Sequence, residues 1–161
     1  MSLHTPKQIT PEYYLFQIVA KMELYRCRCR CQLRTKSKWD MGYKEQQEAE
    51  RLKAMLLRIY QCKKPFELMV IDKKPKTRMG CYVVGRQRIR IYSKYKSECP
   101  LEEIAIHEYA HHIHHTEQYG KDYHRRDRSH GEKFWRIYSA LRAKALELGV
   151  FDDELISDII K

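Results

Sequence analysis

The feature that most constrains this chain is the segment His107–His111, which reads His-Glu-Tyr-Ala-His. Pro100 and the two glutamates that follow it are typical of a helix start. Apolar residues occupy the other sides of this helix: Leu101, Ala105, Ile106, Ala110 and Ile113. At about 100° per residue, side chains four positions apart project from nearly the same face of a helix. The segment therefore predicts a buried helix, running to about His115, that presents two imidazoles together.

Two imidazoles at this spacing can bind one Zn²⁺ at about 2.0–2.1 Å. The ion lowers the pKa of a water molecule, and a neighbouring carboxylate can remove the proton as the water attacks a carbonyl. Glu108 is placed for that role. The competing explanation is a solvated helix face rich in histidine, but the apolar flanks argue against it because buried imidazoles need partners. The pattern predicts a site for one zinc ion on His107 and His111, with Glu108 as the catalytic base.

Catalytic zinc takes three protein ligands and leaves one position for water. His114 and His115 lie two turns from His107 on the same helix, which is too far along the axis to complete the site. The third ligand must therefore come from another part of the chain.

His130 is our choice for this third ligand. Ser129-x-x-Glu132 is a capping box that predicts a helix beginning at about His130, and Phe134 would hold its first turn in place. Glu132 and His124 are the alternatives. The helix is expected to end near Gly149, a usual position for glycine after a helix.

Upstream of these helices, the chain predicts a mixed α+β domain. A helix is expected over 45–61, from apolar residues spaced by three and four, and another over about 10–25. Three short β-prone segments, Phe66–Ile71, Met79–Val84 and Arg88–Tyr92, indicate a three-stranded antiparallel meander. The predicted organisation is a basic helical extension over 1–44, one domain over 45–150, and an acidic tail over 151–161.

The two histidine-containing motifs together resemble those of a known family. His107-Glu108-x-x-His111 followed by Ser129-His130-Gly131-x-x-Phe134-Trp135 is similar to the SprT-like zinc metallopeptidases, which include the Spartan-type DNA–protein crosslink proteases. YgjP-like metallopeptidases share the final His…Phe-Trp. The resemblance covers about residues 45–148. It implies a small zincin-like fold, with one zinc ion on His107, His111 and His130 and with Glu108 as the base.

The charge of the chain indicates a polyanionic partner. Lysine and arginine number 32 against 21 acidic residues, so the net charge is +11, which favours nucleic acid. The candidate contacts are Arg86 just before the third strand, Arg88 and Arg90 on that strand, and Lys121, Arg125, Arg126 and Arg128 in the loop before His130. Ordinary solvent-facing strand positions and a solvated loop would have the same composition.

The lengths of the apolar stretches and the spacing of the cysteines argue against several classes of protein. The longest apolar stretches, such as Leu15–Ala20, are too short to cross a bilayer. The six cysteines lack the paired spacing of a zinc ribbon, and Cys27–Cys31 is interpreted as reduced thiols rather than as a second metal site. We expect a cytoplasmic protein that is associated with the nucleoid, or a nuclear protein if the source is eukaryotic.

The combined prediction is a zinc metalloendopeptidase that acts on protein substrates, including proteins bound or crosslinked to single-stranded or damaged DNA. The alternative from another class is a DNA-binding module in which the zinc is structural, with Cys99 or His124 as a fourth ligand. A regulatory scaffold without peptidase activity is a third reading, because a fold does not guarantee its usual function.

Overall fold

The computed structural model describes residues 41–95, 99–118 and 130–151. The helices are α1 (Tyr43–Ile59), α2 (Leu101–Ile113) and α3 (Glu132–Glu147), and the strands are β1 (Glu67–Ile71), β2 (Gly80–Val83) and β3 (Arg88–Tyr92). Short 3₁₀ turns cover Val84–Arg86 and Ser93–Tyr95, and a π-helical turn, His114–Gln118, follows α2. Four segments discussed above lie outside the described residues: the helix predicted over 10–25, the segment Cys27–Cys31, the loop over 119–128 and the tail from 152.

The mixed α+β class is confirmed, and the three helices in the described ranges lie within about two residues of their predicted bounds. In α1, the residues spaced by three and four are the buried ones: Ala49, Leu52, Met55, Leu56 and Ile59. The last helix ends near Gly149, whose φ of 62° is the left-handed conformation that glycine adopts easily.

The sheet is mixed. The predicted antiparallel meander was therefore right about the pairing of β2 with β3 and wrong about the pairing of β1 with β2. The strand order is β1-β3-β2, with β1 parallel to β3 and β2 antiparallel to β3. Residues 72–79 connect β1 to β2, and this connection is longer than that of a tight hairpin, which has about two to five residues. The two strands therefore need not pair with each other. The central strand is instead β3, whose Ile89 and Ile91 are fully buried. Alternation along a strand indicates which side chains face the core, but not which strand lies beside it.

Helix α2 lies at the centre of the domain and contacts α1, α3, β2 and β3. Every residue from Leu101 to Ile113 is buried except Glu102. The burial predicted from its apolar flanks is therefore confirmed, and the polar side chains of its histidine motif lie inside the protein.

A hydrogen-bonded chain fixes the orientation of α2 against β2. His112 Nε2 lies 3.0 Å from the Lys64 carbonyl, and His112 Nδ1 lies 3.2 Å from the Tyr82 hydroxyl. Because a carbonyl only accepts, Nε2 carries the proton and donates, and burial lowers the pKa of His112, which keeps the ring neutral. The Tyr82 hydroxyl therefore donates to Nδ1, and His115 Nδ1, at 3.4 Å, donates to the Tyr82 oxygen.

The π-helical turn after α2 is held by Glu117. Its carboxylate accepts hydrogen bonds from the Tyr60 hydroxyl and from the Lys63 backbone N–H, both at 2.8 Å. These bonds attach the end of α2 to the segment that follows α1. Within the part of the chain that the structure describes, no helix has both the length and the apolar character needed to cross a membrane.

Candidate metal centre

Three imidazoles converge between α2 and the start of α3. His107 and His111 lie one turn apart on α2, and His130 Nε2 lies 3.1 Å from the Nε2 atom of each. The candidate ligand atoms all lie within 4.8 Å of one another. His107 and His111 are buried and His130 is half-buried. These three histidines are therefore close enough to hold one metal ion.

The spacing of the nitrogens fits a small cation. Tetrahedral zinc with Zn–N bonds of about 2.0–2.1 Å places its ligand nitrogens about 3.3–3.4 Å apart, close to the 3.1 Å that separates His130 from each α2 imidazole. One proton can bridge only one pair of nitrogens, so a second close pair is left with lone pairs that repel each other. A cation at the centre removes that repulsion. The donor set of three imidazoles thus fits a nitrogen-binding divalent metal.

Burial keeps the two α2 imidazoles neutral, as metal binding requires. Burial, assisted by the nearby His130, lowers the pKa of His107 to about 3. Burial also lowers the pKa of His111 well below its ordinary value, assisted by His107, His130 and His114. The lone pairs of these nitrogens are therefore available at neutral pH.

These low pKa values make the stability of the metal-free protein depend on pH. Between about pH 6.5 and pH 3 the unfolded chain protonates His107 but the folded chain does not. The stability is therefore complete above pH 6.5, and the free energy of unfolding falls by about 1.4 kcal/mol per pH unit below it for each such imidazole. Urea unfolding in the presence of a chelator from pH 7.5 to 4.5 measures this slope. His107→Gln should flatten the slope, and an unchanged slope in that variant would contradict the assignment.

Phe134, in the first turn of α3, packs against all three imidazoles. Its ring centroid lies 4.3 Å from that of His111, 4.8 Å from that of His130 and 5.1 Å from that of His107. Phe134 is fully buried, so it restricts how the imidazoles can rotate. His107 Nδ1 is also buried, and it has no hydrogen-bond partner among the described residues.

The start of α3 differs from the prediction. The helix begins at Glu132, with Gly131 as the N-cap residue and no side-chain cap, so His130 precedes the helix rather than lying in its first turn. Ser129, the predicted cap, lies outside the described residues. Gly131 is extended, with φ −78° and ψ 178°, and His130, the residue before it, lies beside the two α2 imidazoles.

The other candidate ligands lie elsewhere. Glu132 is exposed and forms an ion pair with Arg136 at 2.6 Å. His114 is buried and packs edge-on against Phe134 with the ring centroids 6.2 Å apart. Cys99 belongs to the apolar core, and His124 lies outside the described ranges. Among the described residues, the group able to hold a metal ion consists of His107, His111 and His130.

Glu108 is buried and lies against Gly80, the first residue of β2. A Cβ atom at position 80 would lie 2.9 Å from Glu108 Cγ, from Glu108 Oε1 and from Ile104 Cγ2. Real Cβ atoms essentially never approach other atoms this closely. The absence of a side chain at Gly80 therefore makes room for the carboxylate. Sequence reasoning missed this role, and the available signal was a glycine inside a predicted strand.

Gly80→Ala should therefore displace the Glu108 carboxylate while leaving the three imidazoles in place. We expect zinc affinity within about threefold of the wild type and, if Glu108 is the base, a loss of about 10²-fold in kcat for peptide cleavage. The matched control is Gly85→Ala, because a Cβ at position 85 meets no atom within 4 Å. Equal kcat values for the two variants would contradict this role for Gly80.

The three arginines predicted as nucleic-acid contacts at β3 do not share one exposed face. Arg90 is buried at 6% exposure, because β3 is the central strand and its second face is also covered. Arg88 pairs across the strands with Glu67 at 2.6 Å. Arg86 lies in the 3₁₀ turn and is exposed. Lys121, Arg125, Arg126 and Arg128 lie outside the described residues.

The described site is thus a buried cluster of three imidazoles, with a buried carboxylate at the residue after the first of them. No family model, no curated protein and no solved structure matches this chain.

Proposed function

We propose that this chain is a zinc-dependent metallopeptidase of the SprT-like type, with a zincin-like fold. The observation that supports this most directly is the convergence of His107, His111 and His130 at nitrogen distances suited to one metal ion. Glu108, buried on the same helix, is the proposed general base.

The donor set favours zinc over the hard cations. Mg²⁺ and Ca²⁺ prefer oxygen ligands, whereas neutral imidazoles suit zinc. Three protein ligands without a fourth are typical of a catalytic site, since structural zinc is usually held by four. Cys99, the described candidate for a fourth ligand, lies in the apolar core and outside the three-histidine group.

When bound, zinc would polarise a substrate carbonyl and lower the pKa of a water molecule. Glu108 would accept the proton of the attacking water and pass it to the leaving amine, as a general base and then a general acid. Gly80 leaves space for this carboxylate, and Phe134 holds the imidazoles in one orientation.

Proteins associated with DNA are the proposed substrates. The net charge of +11 favours nucleic acid, and an exposed basic segment leads directly into the site. Lys73, Lys74 and Lys76 are exposed in the connection between β1 and β2, which ends at Gly80 beside Glu108. DNA bound along this connection would hold an attached protein close to the proposed base.

The same basic connection supports a second candidate function, a DNA-binding module in which the zinc is structural and Glu108 performs no chemistry. The two candidates differ in whether peptide bonds are cut. They share the metal site, so metal content alone does not separate them.

The experiment is the cleavage of a DNA-binding test protein by the zinc-loaded full chain, with and without single-stranded DNA. We expect fragments that increase when DNA is added, disappear when a chelator removes the metal and return when zinc is restored. DNA binding without cleavage under any of these conditions would favour the DNA-binding module. Cleavage that is indifferent to DNA would keep the peptidase and remove DNA from the proposal.

A further inference from the structure

A buried polar cluster joins α2 to α3 one turn away from the histidines. Glu103 on α2 is 2% exposed, and its two partners on α3, Tyr138 and Arg142, are 1% and 8% exposed. The Tyr138 hydroxyl donates a hydrogen bond to Glu103 Oε1, and Arg142 Nε donates to Glu103 Oε2 at 3.2 Å. Burial and the neighbouring Glu103 carboxylate raise the pKa of Tyr138 well above its ordinary value, so the hydroxyl keeps its proton and remains a donor.

This cluster restricts how α3 can lie on α2. Burying a carboxylate is unfavourable unless its oxygens are paired with good geometry. Both partners belong to α3, so sliding α3 by one turn, about 5.4 Å, would separate the carboxylate from them. The surrounding apolar contacts are non-directional, so they oppose such a slide less strongly than the hydrogen bonds of the cluster do. The cluster therefore restrains the axial position of α3.

The cluster shares both of its helices with the candidate metal centre. Glu103 precedes His107 by four residues, which is one turn of α2, and α3 begins two residues after His130. The Tyr138 ring also packs edge-on against the His107 ring, with the centroids 5.7 Å apart. The distance between His130 and the two α2 imidazoles therefore depends on where α3 is held.

We propose that Glu103, Tyr138 and Arg142 are positioning residues that set the place of the third metal ligand and so determine the affinity for zinc. This inference depends on the proposed zinc site but not on peptidase activity. A cluster with a merely structural role would add stability without a specific effect on metal binding, and that difference can be measured.

The variant that tests the inference is Tyr138→Phe, which removes the hydroxyl and keeps the ring against His107. The matched control is Tyr109→Phe. Tyr109 lies on α2 and is buried as Tyr138 is, but its hydroxyl donates to the Tyr60 carbonyl at 2.7 Å, on a segment outside α3. Both variants therefore remove one tyrosine hydroxyl that donates a hydrogen bond.

The measurements on the full-length variants are zinc affinity, by competition with a chromophoric chelator, and urea unfolding of the metal-free protein. We expect both variants to lose stability to a similar extent, and only Tyr138→Phe to bind zinc at least about tenfold more weakly, as for other groups that orient metal ligands. The visible spectrum of Co²⁺ bound in place of zinc should change in Tyr138→Phe alone.

Wild-type zinc affinity in Tyr138→Phe, or an equal loss in both variants, would overturn the inference. If Tyr138→Phe does not fold, Arg142→Lys takes its place. Its control is Arg136→Lys, which alters only the exposed pair with Glu132. A wild-type chain that binds no zinc would refute the proposed function and this inference together. A chain that binds zinc without cutting protein would refute the peptidase alone.

Discussion

Replacing Glu108 with glutamine is expected to leave zinc bound and to lower the rate of peptide cleavage by about 10²–10⁴-fold, the usual contribution of a general base. Glutamine has nearly the same shape as glutamate, so it fits the space beside Gly80, but its amide cannot accept the proton of the attacking water. The histidine nitrogens are unchanged by this substitution.

The measurement is single-turnover cleavage of a protein substrate, with zinc content determined on the same sample. Glu102→Gln is the matched control, because Glu102 lies on α2 but points outward, where it contacts Arg51 at 2.6 Å. Cleavage by Glu108→Gln at the wild-type rate would remove Glu108 as the base. Loss of zinc in this variant would instead show that the carboxylate is needed to form the metal site.

Replacing His130 with alanine is expected to weaken zinc binding by at least about 10²-fold and to abolish cleavage. Two imidazoles would remain, and two ligands do not complete either a catalytic or a structural zinc site. The stability of the metal-free protein should change little, because His130 is half-buried and precedes α3 rather than forming part of it.

The control for this prediction is His115→Ala. His115 is also half-buried, but its imidazole contacts the Tyr82 hydroxyl at 3.4 Å and lies outside the three-histidine group. Titration with zinc against a competing chelator distinguishes the two variants. Full zinc retention in His130→Ala would exclude His130 and return the choice to Glu132 or His124.

Local periodicity was sufficient to predict the core of the candidate site. The four-residue spacing of His107 and His111 determines a shared helix face wherever that helix is placed. The apolar residues around the same helix indicated that it is buried, and the structure confirms this for α2. His130 was selected because it was expected in the first turn of a capped helix. It lies just before that helix instead, and the structure still brings it to the other two imidazoles.

The errors in the prediction arose where the answer depends on distant parts of the chain. The bounds of the strands were predicted to within one or two residues. The order of the strands in the sheet was not predicted correctly, because each strand pattern is compatible with several neighbouring strands. Arg90 was expected to be exposed on a strand face, yet it is buried, because both faces of β3 are covered from Ile89 to Tyr92. An alternating pattern does not reveal whether one or both faces of a strand are covered.

The amino-acid sequence by itself determined the three described helices and the paired imidazoles of α2, because these follow from residue chemistry and from spacing along a single helix. Only the tertiary structure decided that Gly80 makes room for Glu108 and that Glu103 meets Tyr138 and Arg142. These contacts join residues on separate elements, 28 to 39 positions apart in the chain. Their geometry depends on how whole helices and strands pack, and no local pattern encodes it.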